Sequence, residues 1–368
     1  MIRPANSDQL CEFVADARDT GTKLRLRGGG TKDRIGAPCD ARVVDMRGFA
    51  DIVDYDPPEL VLTVGAGTPL AQIEALVAGE GQMLAFDPFD HGAMLGTDSG
   101  ATIGGVIAAG IAGPARLSRG GARDHLLGFT AVSGRGEKFV AGAKVVKNVT
   151  GYDLPKLMAG SWGRLAALTE LTLKVLPVPR TRLTLAMRGL DAAGAVAAMA
   201  RAMGSAAEVT AAAHLPGWRG EAVTALRLDG FAESVAARAG MLPEFEPVED
   251  GDALWLAVRH AATLPNALPL WRLIVAPGKA PGVIAALPDA EWLFDWAGGL
   301  VWLASDADPA AIRMAAGTAG GHAMLVRASE AMRHAVPALH PQPSALAAIE
   351  ARVRRAFDPD GVFETGRF

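Results

Sequence analysis

Cysteine is almost missing from this 368-residue chain. The two present, Cys11 and Cys39, are too few for a disulfide framework and lack metal-ligand spacing, and no cysteine cluster is available to hold iron and sulfur. A reducing, cytoplasmic setting is the expectation. Long apolar runs are missing too: no stretch of about 18 residues is free of both charges and breakers, so no transmembrane helix is predicted. The N-terminal MIRPANSDQLCEF lacks the basic-then-apolar layout of a signal peptide. There is no excess of basic residues. Lys and Arg number 36 against 40 Asp and Glu, for a net charge of −4 with no long basic run, which counts against nucleic acid as the main partner. The seven histidines show no HExxH or other paired ligand spacing, so no metal site is predicted. No internal period of about 20–50 residues repeats.

Glycine and apolar residues are plentiful instead. The 43 glycines suggest tight backbone packing and loops that approach a ligand closely. Half the residues are hydrophobic, which supports a sizeable core, and the length fits two domains, or three, at roughly 100–200 residues each. SDQLCEFVADARDT at 7–20 reads as a helix behind a Ser/Asp cap. LRLR at 24–27, ARVVDM at 41–46 and LVLTVGAG at 60–67 read as strands, and TPLAQIEALVAGEG at 68–81 as a helix with a glycine stop. FTAVS, KFVAG and LTLKVLP add strands. PVPRT at 177–181 marks a boundary. Beyond it the texture changes to alanine-rich helices such as DAAGAVAAMARAMG, the strands VTALRL, LWRLIVAP and LVWLAS, and most of the tryptophans. The fold class is therefore α+β, with a first domain over 1–177, a second α+β domain over 178–335, and a C-terminal helix and tail over 336–368. Trp255, Trp271 and Trp302 sit in apolar segments and are expected in the core, with a partner surface as the other reading.

Four segments carry the chemistry. RGGGTK, Arg27–Lys32, is not a Walker A loop, and Gly65–Leu70 lacks the third glycine of a dinucleotide fingerprint. Three glycines between Arg27 and Lys32 can still form a nest of amides for a pyrophosphate; the other reading is a flexible strand connection. DSGATIGGVIAAGIAGP at 98–114 has small residues nearly throughout, as a tightly packed helix or a loop laid along a ligand requires. GGARDHLLG at 120–128 sets Arg123 and Asp124 before an apolar pair, as an ion bridge at a strand start or as support for a loop. KNVTGYD gathers Lys147, Asn148, Tyr152 and Asp153 around Gly151, a density of polar groups that suits binding or chemistry, or a turn with satisfied side chains. The spread of these segments argues for one large, anionic, planar cofactor held by several loops.

Taken in order, the segments resemble the flavoprotein family with the PCMH-type FAD-binding domain, also called the vanillyl-alcohol oxidase family. Its pattern of a glycine loop, T-I-G-G, R-D-x-x-L-G, N-x-x-G-Y-D and G-x-L-x-x-x-T-E falls on Gly28–Thr31, Thr102–Gly105, Arg123–Gly128, Asn148–Asp153 and Gly163–Glu170. FDPDGVFETGR at 357–367 is similar to the family's C-terminal return segment. Within the family, VDYDPPELVLTVGAGTPLAQIEALVAGEGQML, GIAGPARLSRGGARDHLLG, KVVKNVTGYDLPKLMAGSWG, FDWAGGLVWL and AGGHA are similar to the FAD-binding subunits of bacterial glycolate oxidases, over nearly the whole chain.

The resemblance implies an FAD-binding domain of two α+β subdomains meeting near residue 85, with a smaller α+β cap domain after it. It implies cofactor contacts from Arg27, Gly28, Gly29, Gly30, Thr31 and Lys32; from Thr102, Ile103, Gly104, Gly105 and Gly110; from Gly120, Arg123 and Asp124; and from Lys147, Asn148, Gly151, Tyr152 and Asp153. The glycine loop takes the pyrophosphate, and the Gly151–Asp153 turn lies toward the isoalloxazine. Some members attach FAD through a histidine beside the glycine loop. RGGGTKDRIG has none, so FAD is expected to be non-covalent, and His91 is expected to be a loop histidine without a chemical role. The histidine–carboxylate cluster of related 2-hydroxy-acid dehydrogenases is missing; His322 is the candidate general base, or a histidine capping a strand turn. The implied activity is oxidation of glycolate to glyoxylate in a complex with a catalytic flavin subunit and an iron–sulfur subunit, with possible docking at the membrane through those partners. Two alternatives are a self-sufficient FAD-dependent oxidase or dehydrogenase of a 2-hydroxy acid and a non-catalytic assembly subunit.

Overall fold

The computed structural model describes residues 1–142 and 152–368. The first helix, Ser7–Thr20, buries Leu10, Val14 and Ala17 along one stripe. Its cap is Asn6, one residue earlier than the sequence suggests, because Asn6 has extended backbone and its side chain accepts from Gln9 N at 3.0 Å. Gly21, at φ 69, ends the helix in the left-handed conformation that glycine adopts without strain.

The strands of the described residues fall into three sheets. Leu24–Arg27 and Arg42–Asp45 pair in parallel. A second sheet runs Ile52–Asp56, Val61–Gly65, Ala166–Pro177, Leu126–Ser133 and Lys138–Gly142, and Gln82–Leu84 pairs with the far end of Ala166–Pro177. That twelve-residue strand is the spine: most of its residues are buried on both faces, as a central strand covered on each side requires. The third sheet has eight strands and spans residues 181–327. Its order is Glu246–Pro247, Thr181–Arg188, Glu221–Gly230, Ala211–Trp218, Glu291–Asp295, Leu300–Ala304, Leu270–Ile274 and His322–Arg327.

The eight-stranded sheet is covered on both faces. On one face lies the helix Ala192–Met203, started by the Asp191 side chain accepting from Gly194 N at 2.7 Å. Its Ala195, Ala198, Met199 and Ala202 join Ala212 and Leu226 of the sheet in one buried cluster, and the small alanines let the helix sit close. The other face, with Leu270, Trp302 and Met324, meets Ile35, Phe89, Met94 and Ile111 from the N-terminal part of the chain. Trp255, Trp271 and Trp302 are all buried, so these tryptophans are core rather than surface anchors.

The chain then returns to its start. Helix Ser344–Phe357 is followed by a turn in which the Asp358 carboxylate accepts from Val362 N at 2.8 Å and Phe363 N at 2.7 Å. Leu24 N donates to Val362 O at 2.8 Å, and Val362 and Phe363 complete the apolar cluster of Leu10, Val14, Leu24, Val44 and Met46. The tail therefore lies beside the strand that feeds the glycine loop.

Candidate cofactor site

Strand Leu24–Arg27 delivers the chain into Gly28–Gly30, and the loop has no room for side chains. A Cβ on Gly28 would land on Thr102 Oγ1, and one on Gly29 on the Gly100 carbonyl oxygen. Gly30 has φ 82, where glycine is preferred. Two backbones, 28–30 and 100–102, thus lie in direct contact. The second is fixed by the Asp90 carboxylate, which accepts from Gly92 N at 2.8 Å and Ala101 N at 3.0 Å. Ile103 N and Gly104 N donate to Thr68 O and Ala66 O at 3.0 and 2.8 Å, anchoring the start of helix Ile103–Ala109.

Among the described residues, no amide of Gly29, Gly30, Thr31 or Lys32 donates to a protein acceptor. Backbone donors placed together without partners form an anion nest. Lys32 reinforces it. Its Nζ contacts Thr31 Oγ1 at 3.3 Å, and among the described residues no carboxylate lies within ion-pair range. Burial pushes its ammonium from 10.5 to about 8; Asp90 opposes that shift and Arg367 adds to it. A desolvated, unpaired cation gains from an arriving anion. Arg27 has a different job: its Nε bonds Asp33 Oδ2 at 2.7 Å, and its guanidinium lies where a Cβ on Gly30 would go, so it shapes the loop. Arg367 clamps the loop's far side, donating to Lys32 O and, at 2.7 Å, to Ile35 O.

Around the loop lie two adjoining hollows, open to solvent, that share Leu26, Arg27, Gly28, Thr102, Gly105, Ala108 and Trp162 in their walls. The first is lined by residues 26–33 with Thr102, Gly105, Ala108 and Ala109; the second, more apolar, reaches Met46, Ala66, Gly104, Ala166 and Leu168. The structure thus brings together Arg27, Gly28, Gly29, Gly30, Thr31, Lys32, Thr102, Gly104 and Gly105. The buried Ile103 is not among the lining residues.

Other expected contacts do not line these hollows. Gly110, at φ 63, ends the helix against the backbone of Gly160. Gly120 closes a short turn, and Asp124 accepts from Gly121 N at 2.8 Å, so this carboxylate holds its own loop. Tyr152 is 90% exposed, and Asp153 caps helix Leu154–Met158 and pairs with Lys156 at 2.7 Å. Lys147, Asn148 and Gly151 lie outside the described residues.

The middle sheet meets the glycine-loop region along a polar seam. Asp87 pairs with Arg259 and accepts from Ala115 N at 3.2 Å. The Trp296 ring lies 4.7 Å from the Arg116 guanidinium and 5.0 Å from that of Arg272, and its Nε1 donates to Gly113 O at 3.1 Å. The buried Asp295 carboxyl is pushed up to about 7 by desolvation. His91 is wholly buried against Phe89, and neither ring nitrogen has a partner among the described residues. Burial, then Lys32 and Arg272, hold it well below the usual imidazole range, so it is neutral. His322 opens strand His322–Arg327 at the sheet edge, opposite Ile274, with its surface open to solvent; partial desolvation by the groups around it, then Arg272 and His340, lower its pKa. It does not line the hollows at the glycine loop. No group of three or more potential metal ligands occurs among the described residues.

Sequence reasoning missed Trp162, Asp90, Ala66 and Phe368, all of which line or order the hollows. The glycines flanking Trp162 and the family-like tail were the available signals.

Residues 1–142 match the family described as "FAD binding domain". Over 372 aligned positions the chain is 35% identical to the glycolate oxidase subunit GlcE of Escherichia coli, covering 100% of this chain and 99% of that protein. It is 31% identical to a D-lactate dehydrogenase of Archaeoglobus fulgidus over 188 residues, which is 51% of this chain and 41% of that one. A glycolate oxidase subunit GlcD of Bacillus subtilis gives 30% over 50% of this chain and 38% of its own length. Among solved structures, an alkyldihydroxyacetonephosphate synthase superposes with a TM-score of 0.68 at 13% identity, covering 99% of this chain and 76% of that one, a likeness of fold.

Proposed function

From the premise that this chain belongs to the FAD-binding oxidoreductase family of the GlcE-type subunits, with FAD as its cofactor, we propose that it serves as a flavin subunit in the oxidation of a small 2-hydroxy acid, glycolate. The observation that carries this reading is the run of unpartnered amides at Gly29–Lys32 beside an unpaired, desolvated Lys32. That arrangement fits a pyrophosphate, and the glycine cradle it sits on has no space for any side chain. When bound, FAD supplies a two-electron acceptor for the hydride of a hydroxy acid. The chain's own residues then do the holding. The loop amides and Lys32 fix the diphosphate, Asp90 keeps the facing backbone in place, and Arg367 closes the loop's far side. The stretch RGGGTKDRIG has no histidine, so the attachment is non-covalent.

The relatives' names as oxidase subunits support a chain that works with others; the partners in this proposal are a second, catalytic flavin subunit and an iron–sulfur subunit that passes electrons on. Among the described residues, no helix is long and apolar enough to cross a membrane. The reading is tested by an absorption spectrum of the purified chain, then by anaerobic glycolate with and without its partner subunits. Flavin bands that persist with glycolate alone and bleach once the partners are added are expected. Bleaching of the isolated chain would replace this reading with a self-sufficient dehydrogenase. A chain that neither retains nor takes up FAD would be an assembly subunit.

A further inference from the structure

Trp162 is a residue that neither the sequence motifs nor the family assignment singles out, and its backbone is strained. It has φ 57, a left-handed conformation that is a true outlier for a bulky side chain, between Gly160 at φ 85 and Gly163 at φ 73. The conformation is pinned from outside: Trp162 N donates to Ala108 O at 2.8 Å, and Gly160 N to Ile107 O at 3.0 Å. Strain held in place by its surroundings is a mark of functional sites. Here it aims a large aromatic side chain at the cofactor groove. Trp162 lines both hollows at the glycine loop and the two grooves that adjoin them, one along the C-terminal tail and one beside helix Ser344–Phe357. Its ring packs on Phe368 at 4.7 Å between centroids and 36° between planes, and Arg367, which clamps the glycine loop, lies 5.3 Å from that Phe368 ring. The indole is thereby tied to the phosphate loop through one aromatic and one cation.

We propose that Trp162 is the stacking platform for the adenine ring of FAD. This rests on the cofactor reading above and deepens it. A dinucleotide whose pyrophosphate lies on Gly29–Lys32 places one flat ring on each side of the loop. The apolar hollow of Met46, Ala66, Ala166 and Leu168 has no residue from the eight-stranded sheet and no ionisable lining group other than Arg27, which Asp33 already pairs. It suits the ring that takes no part in electron transfer. The redox ring belongs on the other side, toward the seam where Arg272 and His91 lie. Trp162 borders the apolar hollow, and base-on-indole stacking needs only a π face.

The test compares FAD, ADP and FMN binding to the full chain and to two variants. Trp162→Gly removes the ring and relieves the left-handed backbone; Trp162→Tyr keeps a ring. The expected result is FAD and ADP binding weaker by about 5- to 150-fold in Trp162→Gly, the span of one base stack. FMN binding should be unchanged, which also reports that the variant is folded, and Trp162→Tyr should recover most of the loss. Quenching of indole fluorescence by ADP, absent in Trp162→Gly, is the spectroscopic counterpart. Equal loss for FAD and FMN, no loss for FAD, or a tyrosine variant as weak as the glycine one would overturn the proposal. A wild-type chain that binds none of the three would instead sink the cofactor reading itself.

Discussion

Trp162 and Trp296 share a rare backbone and serve opposite surroundings. Both are left-handed, at φ 57 and φ 53. Trp162 stands at the edge of glycine-lined hollows, partly exposed, with its strain fixed by a single bond to Ala108. Trp296 is buried, its indole between two guanidiniums, its Nε1 bonded to Gly113 O and its backbone N to Asp295 at 2.7 Å. One region is built from backbone and leaves its donors free; the other is built from side chains held by ion pairs and ring contacts, with His91 buried and unpartnered among them. Groove residues should therefore govern ligand affinity with little effect on folding, and seam residues the reverse.

The strongest challenge to that contrast is Gly29→Ala. The new methyl would meet the Gly100 carbonyl, a backbone atom that cannot swing away, so the loop must move off its facing backbone and the nest of amides is lost. We expect protein isolated colourless, read as the ratio of flavin to protein absorbance, with far-UV circular dichroism near wild type. If it instead fails to fold, the groove is as structural as the seam and the contrast collapses.

Asp87→Ala is the converse. It strands Arg259, which is about a third exposed, and removes the acceptor for Ala115 N. The loss should be about 2–3 kcal/mol in urea unfolding, below that of a fully buried pair because water reaches the arginine. FAD affinity should change less than about twofold, within the scatter of additive distant sites.

Lys32 sharpens the contrast further. The folded state holds its pKa near 8 and the unfolded chain near 10.5, so between those values the unfolded state binds more protons. Stability of the cofactor-free chain should therefore rise with pH across that window. FAD affinity should move the other way, because above about pH 8 the free lysine is neutral and must be recharged to meet a diphosphate. Lys32→Met should flatten both trends and weaken FAD about tenfold without loss of stability, measured by titration calorimetry and thermal melts.

The smallest effect belongs to Asp153→Ala. Its carboxylate, held low by Lys156 on an exposed helix start, should contribute about 0.5 kcal/mol or less and leave FAD affinity unchanged. A large loss of FAD would show that Asp153 reaches the cofactor after all.

Much of this was legible because local chemistry dictated it. Alternation in LRLR followed at once by three glycines can hardly be other than a strand running into a loop that approaches another backbone. The alanine-rich run at 192–203 announces a helix that packs closely. The strand order of the middle sheet was not legible: Leu270–Ile274 lies between Leu300–Ala304 and His322–Arg327, and such distant pairings are chosen by how two apolar faces pack, not by the strands themselves. Nor could Tyr152 be told from a ligand contact, since a motif match carries no information on which way a turn faces. Trp162 was hidden because a left-handed tryptophan contradicts local preference, and only the finished fold explains it.

The bond from Leu24 N to Val362 O also sets a schedule. The tail that finishes the glycine-loop wall emerges from the ribosome about 180 residues after the spine strand, which is on the order of 10–40 s at typical rates of synthesis. Throughout that interval Leu10, Leu24 and Val44 lack the Val362 and Phe363 that cover them. The nascent chain must therefore carry an open apolar face while its entire middle sheet is made, and its dependence on chaperones should peak then.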